Sequence, residues 1–144
     1  NVSLGATWTS EGPEMMFVRQ FSLVSARAAG FECPLDGVFS NVRDPEGFRS
    51  DTQLSRRLGF RGRTVIHPNQ IADANTIYTP TQAQIEYYSR VVAAYEEALT
   101  RGVASTTVDG KLVDLAMAKT AQRLLDHVAA INQIEAITGF TRKK

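Results

Sequence analysis

Asp36 is the polar residue whose position says most, because it stands inside the apolar run Leu35-Asp36-Gly37-Val38-Phe39. A carboxylate there is costly unless it is paired or faces a site. It can orient a ligand or a basic side chain, or form a structural ion pair with an arginine such as Arg63. His67 closes a second β-prone run, Arg63-Thr64-Val65-Ile66-His67, and Pro68 and Asn69 follow. The C-terminal end of a strand is where α/β barrels place their sites; the alternative is a structural histidine bonded to the backbone of the next turn. His67 is not expected to hold a metal, since His127 lies far away with no partner motif. Asp44 and Glu46 follow the first run, but Asp before Pro also simply starts turns and helices. Asp114, just ahead of Leu115-Ala116-Met117-Ala118, reads by residue type as a helix N-cap. No glycine-rich phosphate cradle is present, which leaves nucleotide hydrolysis without support.

The elements that must carry these residues alternate. Pro13 suits the first turn of a helix, and Phe17, Phe21, Val24 and Ala28 share one face up to Gly30. The strand at Leu35–Phe39 follows, then a loop from Ser40 to Pro45, a helix from about Pro45 to Leu58 stopped at Gly59, and the strand Arg63–His67 closed by Pro68. Helix and strand in alternation argue for a parallel sheet or an α/β barrel, although two strands leave edges to be covered. A short helical stretch is expected near 69–75. Thr79-Pro80-Thr81-Gln82 then suggests a capping box opening a long helix to about Arg101, with Ile85, Tyr88, Val92, Tyr95 and Leu99 on its buried stripe. Of the Tyr87-Tyr88 pair only Tyr88 shares that stripe, which favours a core role over base stacking. Asp109-Gly110 between short β-prone arms is a hairpin signal. Asp114 then caps a last helix from Leu115 to about Ile134, with Leu124, Val128 and Ile131 on its apolar face.

Composition narrows the function classes. The 144 residues are 43% hydrophobic and 22% charged, ordinary for a soluble chain with a real core. Lys+Arg total 16 against 15 Asp+Glu, and without a basic stripe no nucleic acid is expected as partner. The longest apolar stretches fall far short of the roughly 20 residues of a membrane span, so no membrane partner is expected. A lone cysteine, Cys33, cannot form an internal disulfide or a multi-cysteine metal site, which makes a reducing cytoplasm the natural localisation and packing its natural role. Trp8 is also read as packing, and the tail Arg142-Lys143-Lys144 as frayed and solvated. No secretory signal opens the chain, and the first residues include no Met, so the true N-terminus is allowed to lie upstream.

Taken in order, Ala28-Ala29-Gly30, Leu35-Asp36-Gly37-Val38, Asp44-Pro45-Glu46-Gly47, Leu58-Gly59-Phe60, Ile66-His67-Pro68-Asn69-Gln70-Ile71 and Asp109-Gly110-Lys111-Leu112-Val113-Asp114 are similar to the C-terminal part of the citrate lyase beta-subunit, malyl-CoA lyase and citramalyl-CoA lyase family. The resemblance runs from about Leu4 to about Leu125. It implies an α/β fold: the C-terminal portion of a (β/α)8 TIM barrel, comprising the last two strands with their helices, plus a C-terminal hairpin-helix lid. The barrel portion is expected over residues 1–102 and the lid and tail over 103–144. A complete barrel takes about 250 residues, more than the chain holds.

The activity implied is Mg2+-dependent cleavage of a 3-hydroxyacyl-CoA, such as malyl-CoA or citramalyl-CoA, to an acyl-CoA and a 2-oxo acid. The Mg2+ ligands and a substrate-binding arginine of the family would lie upstream of Asn1, so no metal ligand is assigned here. The resemblance makes Asp114 an acid/base residue on a lid that closes over a neighbouring subunit, where burial would help it hold a proton. That role is compatible with the N-cap. Asp36 and the run His67, Pro68 and Asn69 become candidates for the substrate or CoA entrance. A homo-oligomer, trimeric or larger, or association with a missing N-terminal segment is expected. The alternative is a truncated, non-catalytic lyase-like module that binds a partner.

Overall fold

A computed structural model describes residues 5, 7, 9, 12–32 and 34–139; the expectations for Trp8, Cys33 and the basic tail fall outside them. The chain divides after Tyr78 into two compact units. That division precedes the boundary at Gly102 expected from the sequence. The physical reason is that the long helix beginning at Gln82 packs on the hairpin and last helix that follow it.

The first unit opens with α1, Pro13–Ala28, which starts at a proline and ends ahead of Gly30, whose φ is +87°. Its apolar stripe behaves differently from the expectation: Phe17, Phe21 and Val24 are exposed, and no α1 residue is buried. The two phenyl rings stack on each other at 5.8 Å instead. β1 is Leu35–Asp36, α2 is Pro45–Leu58 and β2 is Gly62–Arg63. Asp44 caps α2 by accepting from the Gly47 amide at 2.8 Å, so it serves the turn role anticipated for an Asp-Pro pair.

β1 and β2 pair in parallel, Leu35 with Gly62 and Asp36 with Arg63. The strands are shorter than the runs 35–39 and 63–67, because beyond this register the Gly37 carbonyl accepts from the Arg63 side chain instead of from a strand. A 3-10 turn at Pro68–Gln70 leads into α3, Ile71–Tyr78. Phe48, Thr52 and Ser55 of α2 are buried, with Ser55 bonded to the Tyr78 hydroxyl at 2.5 Å.

Gly59 ends α2 at φ +112°. A Cβ there would lie 3.3 Å from a Leu23 methyl in backbone that L-residues avoid. Gly59→Ala is therefore expected to lower stability by about 1–2 kcal/mol, read as a lower urea midpoint at unchanged m-value.

In the second unit α4 spans Gln82–Thr100. Its capping box joins Thr81 and Gln84, two residues later than the box read at Thr79, because Pro80 precedes the cap instead of occupying the first helical turn. A hairpin of β3, Thr106–Val108, and β4, Lys111–Val113, follows, and then α5, Leu115–Thr138. Val91, Tyr95, Val108, Val113, Ala118 and Ala121 form the core, with Tyr87, Tyr88 and Val92 packed around it. Leu99, expected on the buried stripe, is exposed, and Ala98 is buried in its place. Small residues at 118 and 121 let α5 approach the hairpin and α4 closely. None of the described helices is long and apolar enough to cross a membrane.

Candidate active site

In the first unit Asp36 is buried and both its oxygens are engaged. Oδ1 accepts from the Gly37 amide at 2.8 Å, and Oδ2 is ion-paired to Arg19. Arg19 also reaches Asp51 at 2.7 Å, and Asp51 bridges to Arg63 at 2.9 Å. Arg63, whose side chain is only 2% exposed, further donates to the Thr52 hydroxyl and the Gly37 carbonyl and lies 5.1 Å from the centroid of the Phe48 ring.

Two cations and two anions thus alternate around a cleft of about 440 Å3 that Leu35, Val38 and Phe60 also line. Burial opposes the charge on Arg19, but its hydrogen bonds and charge interactions with Asp36 and Asp51 outweigh that and raise its pKa. The partner of Asp36 is therefore Arg19, not Arg63 as weighed from the sequence. Arg19 and Asp51 are sites that sequence reasoning missed, since residues 32 apart show no local pattern.

His67, Pro68 and Asn69 are exposed and belong to the 3-10 turn, not to the lining of this cleft. His67 Nδ1 accepts from the Asn69 amide at 3.2 Å, which in the neutral ring leaves the proton on Nε2. Asn69 donates to the Val42 carbonyl at 2.9 Å. Buried Gln70, also unanticipated, clamps the turn by donating to the Phe39 carbonyl and accepting from the Ile66 amide, both at 3.0 Å. The segments after the two strands are therefore held side by side, with the His67 ring at their rim.

In the second unit Asp114 follows β4 directly and caps α5, its Oδ1 accepting from the Met117 amide at 2.9 Å. Its Oδ2 carries no hydrogen bond to the described residues. Val113 beside it is fully buried, while Leu112, Leu115 and Met117, near it in sequence, are exposed. An acid with one oxygen committed to the cap and the other left over is a chemically usable group.

Among the described residues no group of three His, Cys, Asp or Glu side chains could hold a metal ion. The clustered carboxylates Asp36 and Asp51 are neutralised by arginines, so this cleft does not fit a divalent cation.

The model of the family HpcH/HpaI aldolase/citrate lyase matches residues 1–68. Over 133 residues, 92% of the chain, it is 36% identical to the citrate lyase subunit beta of Leuconostoc mesenteroides subsp. cremoris, covering 44% of that protein. It is 37% identical to a (3S)-malyl-CoA thioesterase of Cereibacter sphaeroides, again over 92% of the chain and 46% of the relative. With the mitochondrial citramalyl-CoA lyase of Rattus norvegicus it shares 31% identity over 91% of itself and 38% of that protein. The crystal structure of CitE from Mycobacterium tuberculosis in complex with magnesium, acetoacetate and coenzyme A superimposes with a TM-score of 0.71 at 25% identity, over 89% of this chain and 48% of that one. The chain belongs to the HpcH/HpaI aldolase/citrate lyase family, and it spans less than half the length of these curated relatives.

Proposed function

We propose that the chain is the C-terminal part of a lyase that breaks a carbon–carbon bond in a 3-hydroxyacyl-CoA, such as malyl-CoA, citramalyl-CoA or a citryl thioester, giving an acyl-CoA and a 2-oxo acid. The observation that carries this reading is the match to CoA-ester enzymes over nearly the whole chain, extending through Asp114 into its last helix. The first unit is read as the closing strands and helices of a (β/α)8 barrel. Its two-stranded parallel sheet, with Leu35 and Ile66 exposed, supports that reading, because parallel strands are ordinarily covered on both faces. The second unit is read as a lid over the site of a neighbouring subunit in a cytoplasmic homo-oligomer.

When the bond between C2 and C3 breaks, its electron pair passes to C2 as a thioester enolate, and the C3 hydroxyl loses its proton as the 2-oxo group forms. A base outside the described residues takes that hydroxyl proton. Asp114, as the carboxylic acid, delivers a proton to C2 through Oδ2, the oxygen not spent on the helix cap. His67, Pro68 and Asn69 form the rim of the substrate or CoA entrance, and Asp36 acts behind it by fixing Arg19. Mg2+ would supply charge stabilisation when bound, through ligands outside the described residues, and none of these proton transfers is assigned to it.

The test is cleavage of malyl-CoA and citramalyl-CoA in Mg2+ by the protein as purified, with any associated polypeptide identified by intact mass. Acyl-CoA and 2-oxo acid released one for one, by a longer or completed protein, is the expected result. A folded, solitary chain with no cleavage supports the alternative, a truncated binding module.

A further inference from the structure

Asp109 is the one non-glycine residue among those described with positive φ, +50°, and Gly110 beside it has φ +74°. Together they make the two-residue turn between β3 and β4. Two positive φ values are what the tight hairpin turn matching strand twist requires, and Asp tolerates that conformation less readily than Gly. The Asp109 carboxylate is held at 2.7 Å by Arg90 of α4. One turn of helix earlier, the Tyr87 ring takes two cations: Arg90 at 5.9 Å and Lys111, the first residue of β4, at 5.7 Å from its centroid. The helix therefore grips the tip of the hairpin at the turn and at the start of β4, outside the apolar core beneath.

The hairpin has only three residue pairs, Thr106 with Val113, Thr107 with Leu112 and Val108 with Lys111. So short a ribbon does not hold its own orientation in water. Val113 and Val108 bury one side of the ribbon in the core, which leaves its tilt about that apolar seam to be set at the exposed tip, and Asp114 follows the ribbon directly. We propose that Arg90, acting through Asp109 with Tyr87 and Lys111 alongside, is a positioning clasp that fixes the pitch of the hairpin on α4 and so the place of the Asp114 carboxylate. Its functional meaning rests on the reading of Asp114 as the proton donor. Arg90 and Asp109 are 55% and 57% exposed, and an exposed pair adds little stability. A displacement of about 1 Å at a reacting group nevertheless costs up to about a hundredfold in rate.

Asp109→Asn isolates the clasp, because Asn-Gly suits the same turn while the charge is lost. Hydrogen exchange of the 144-residue chain is the measurement, read at the Met117 amide that donates to Asp114. Asp109→Asn and Arg90→Gln should each lower Met117 protection about two- to fivefold, leave amides in the middle of α4 unchanged, and be largely rescued in Arg90→Lys. Unchanged Met117 protection in both variants overturns the clasp. In the cleaving enzyme the same variants should lower kcat at unchanged KM; altered exchange with full kcat would reduce the clasp to a structural contact and also overturn the proposal. Full activity in Asp114→Asn would instead sink the proton-donor reading while leaving the exchange result standing, so the two failures are separable.

Discussion

Replacing Asp114 by Asn should lower kcat for carbon–carbon cleavage of the acyl-CoA by about 10^2- to 10^4-fold, the range lost with a positioned general acid, while leaving the fold intact. The two effects separate because Asn caps helices about as well as Asp. The amide oxygen can still accept from the Met117 amide, so the start of α5 survives and stability should stay within about 0.5 kcal/mol. What disappears is the transferable proton. KM should move little, since the group is needed in the transition state and not for holding the thioester. Asp114→Ala serves as the control: it loses the proton and the cap together, adding about 1 kcal/mol of destabilisation. A variant Asn enzyme that retains its kcat, alongside an Ala enzyme that merely melts earlier, would assign Asp114 to the helix cap alone.

What could be read from the sequence was punctuation and order. Pro13, Pro45, Gly59, Asp109-Gly110 and Asp114 each act on one or two neighbouring residues, so their consequences are local, and the helices and hairpin they bound appear where expected. The strands were less legible because strand length is set by partners: Leu35–Phe39 has β propensity throughout, yet only Leu35 and Asp36 find a neighbour in register. Burial failed for the same reason on α1, where the spacing of Phe17, Phe21 and Val24 describes a face and cannot say what covers it. On α4 Tyr95 is buried and Tyr88 and Val92 pack against the core as expected, but the deepest positions also include Val91 and Ala98, while Leu99 is exposed. Family resemblance singled out Asp114, whereas residue type alone gave only a cap. Nothing in the sequence paired Arg19 with Asp36 and Asp51, since an arginine in an amphipathic helix ordinarily reads as solvated surface.

That hidden network should also carry the largest stability effect in the first unit. Asp51 is the only acid paired with Arg63 among the described residues, and the Arg63 side chain is buried. Asp51→Ala strands that guanidinium with only the Thr52 hydroxyl and the Gly37 carbonyl, and half of Arg19's pairing goes with it. Leaving a buried charge uncompensated typically costs about 3–5 kcal/mol, a large share of the roughly 5–15 kcal/mol that stabilises a domain. Urea unfolding followed through amides of α2 should show that loss. The second arm of the experiment decides the cause. Arg63→Met in the Asp51→Ala background removes the stranded charge and keeps an unbranched side chain over Phe48, where the guanidinium now lies. If uncompensated charge is the cause, this second substitution restores much of the stability, because an ion pair exchanged for well-packed apolar groups is often close to neutral. A double variant less stable than Asp51→Ala alone would show instead that Arg63 stabilises mainly through Thr52, Gly37 and Phe48, and that its bridge to Asp51 is secondary.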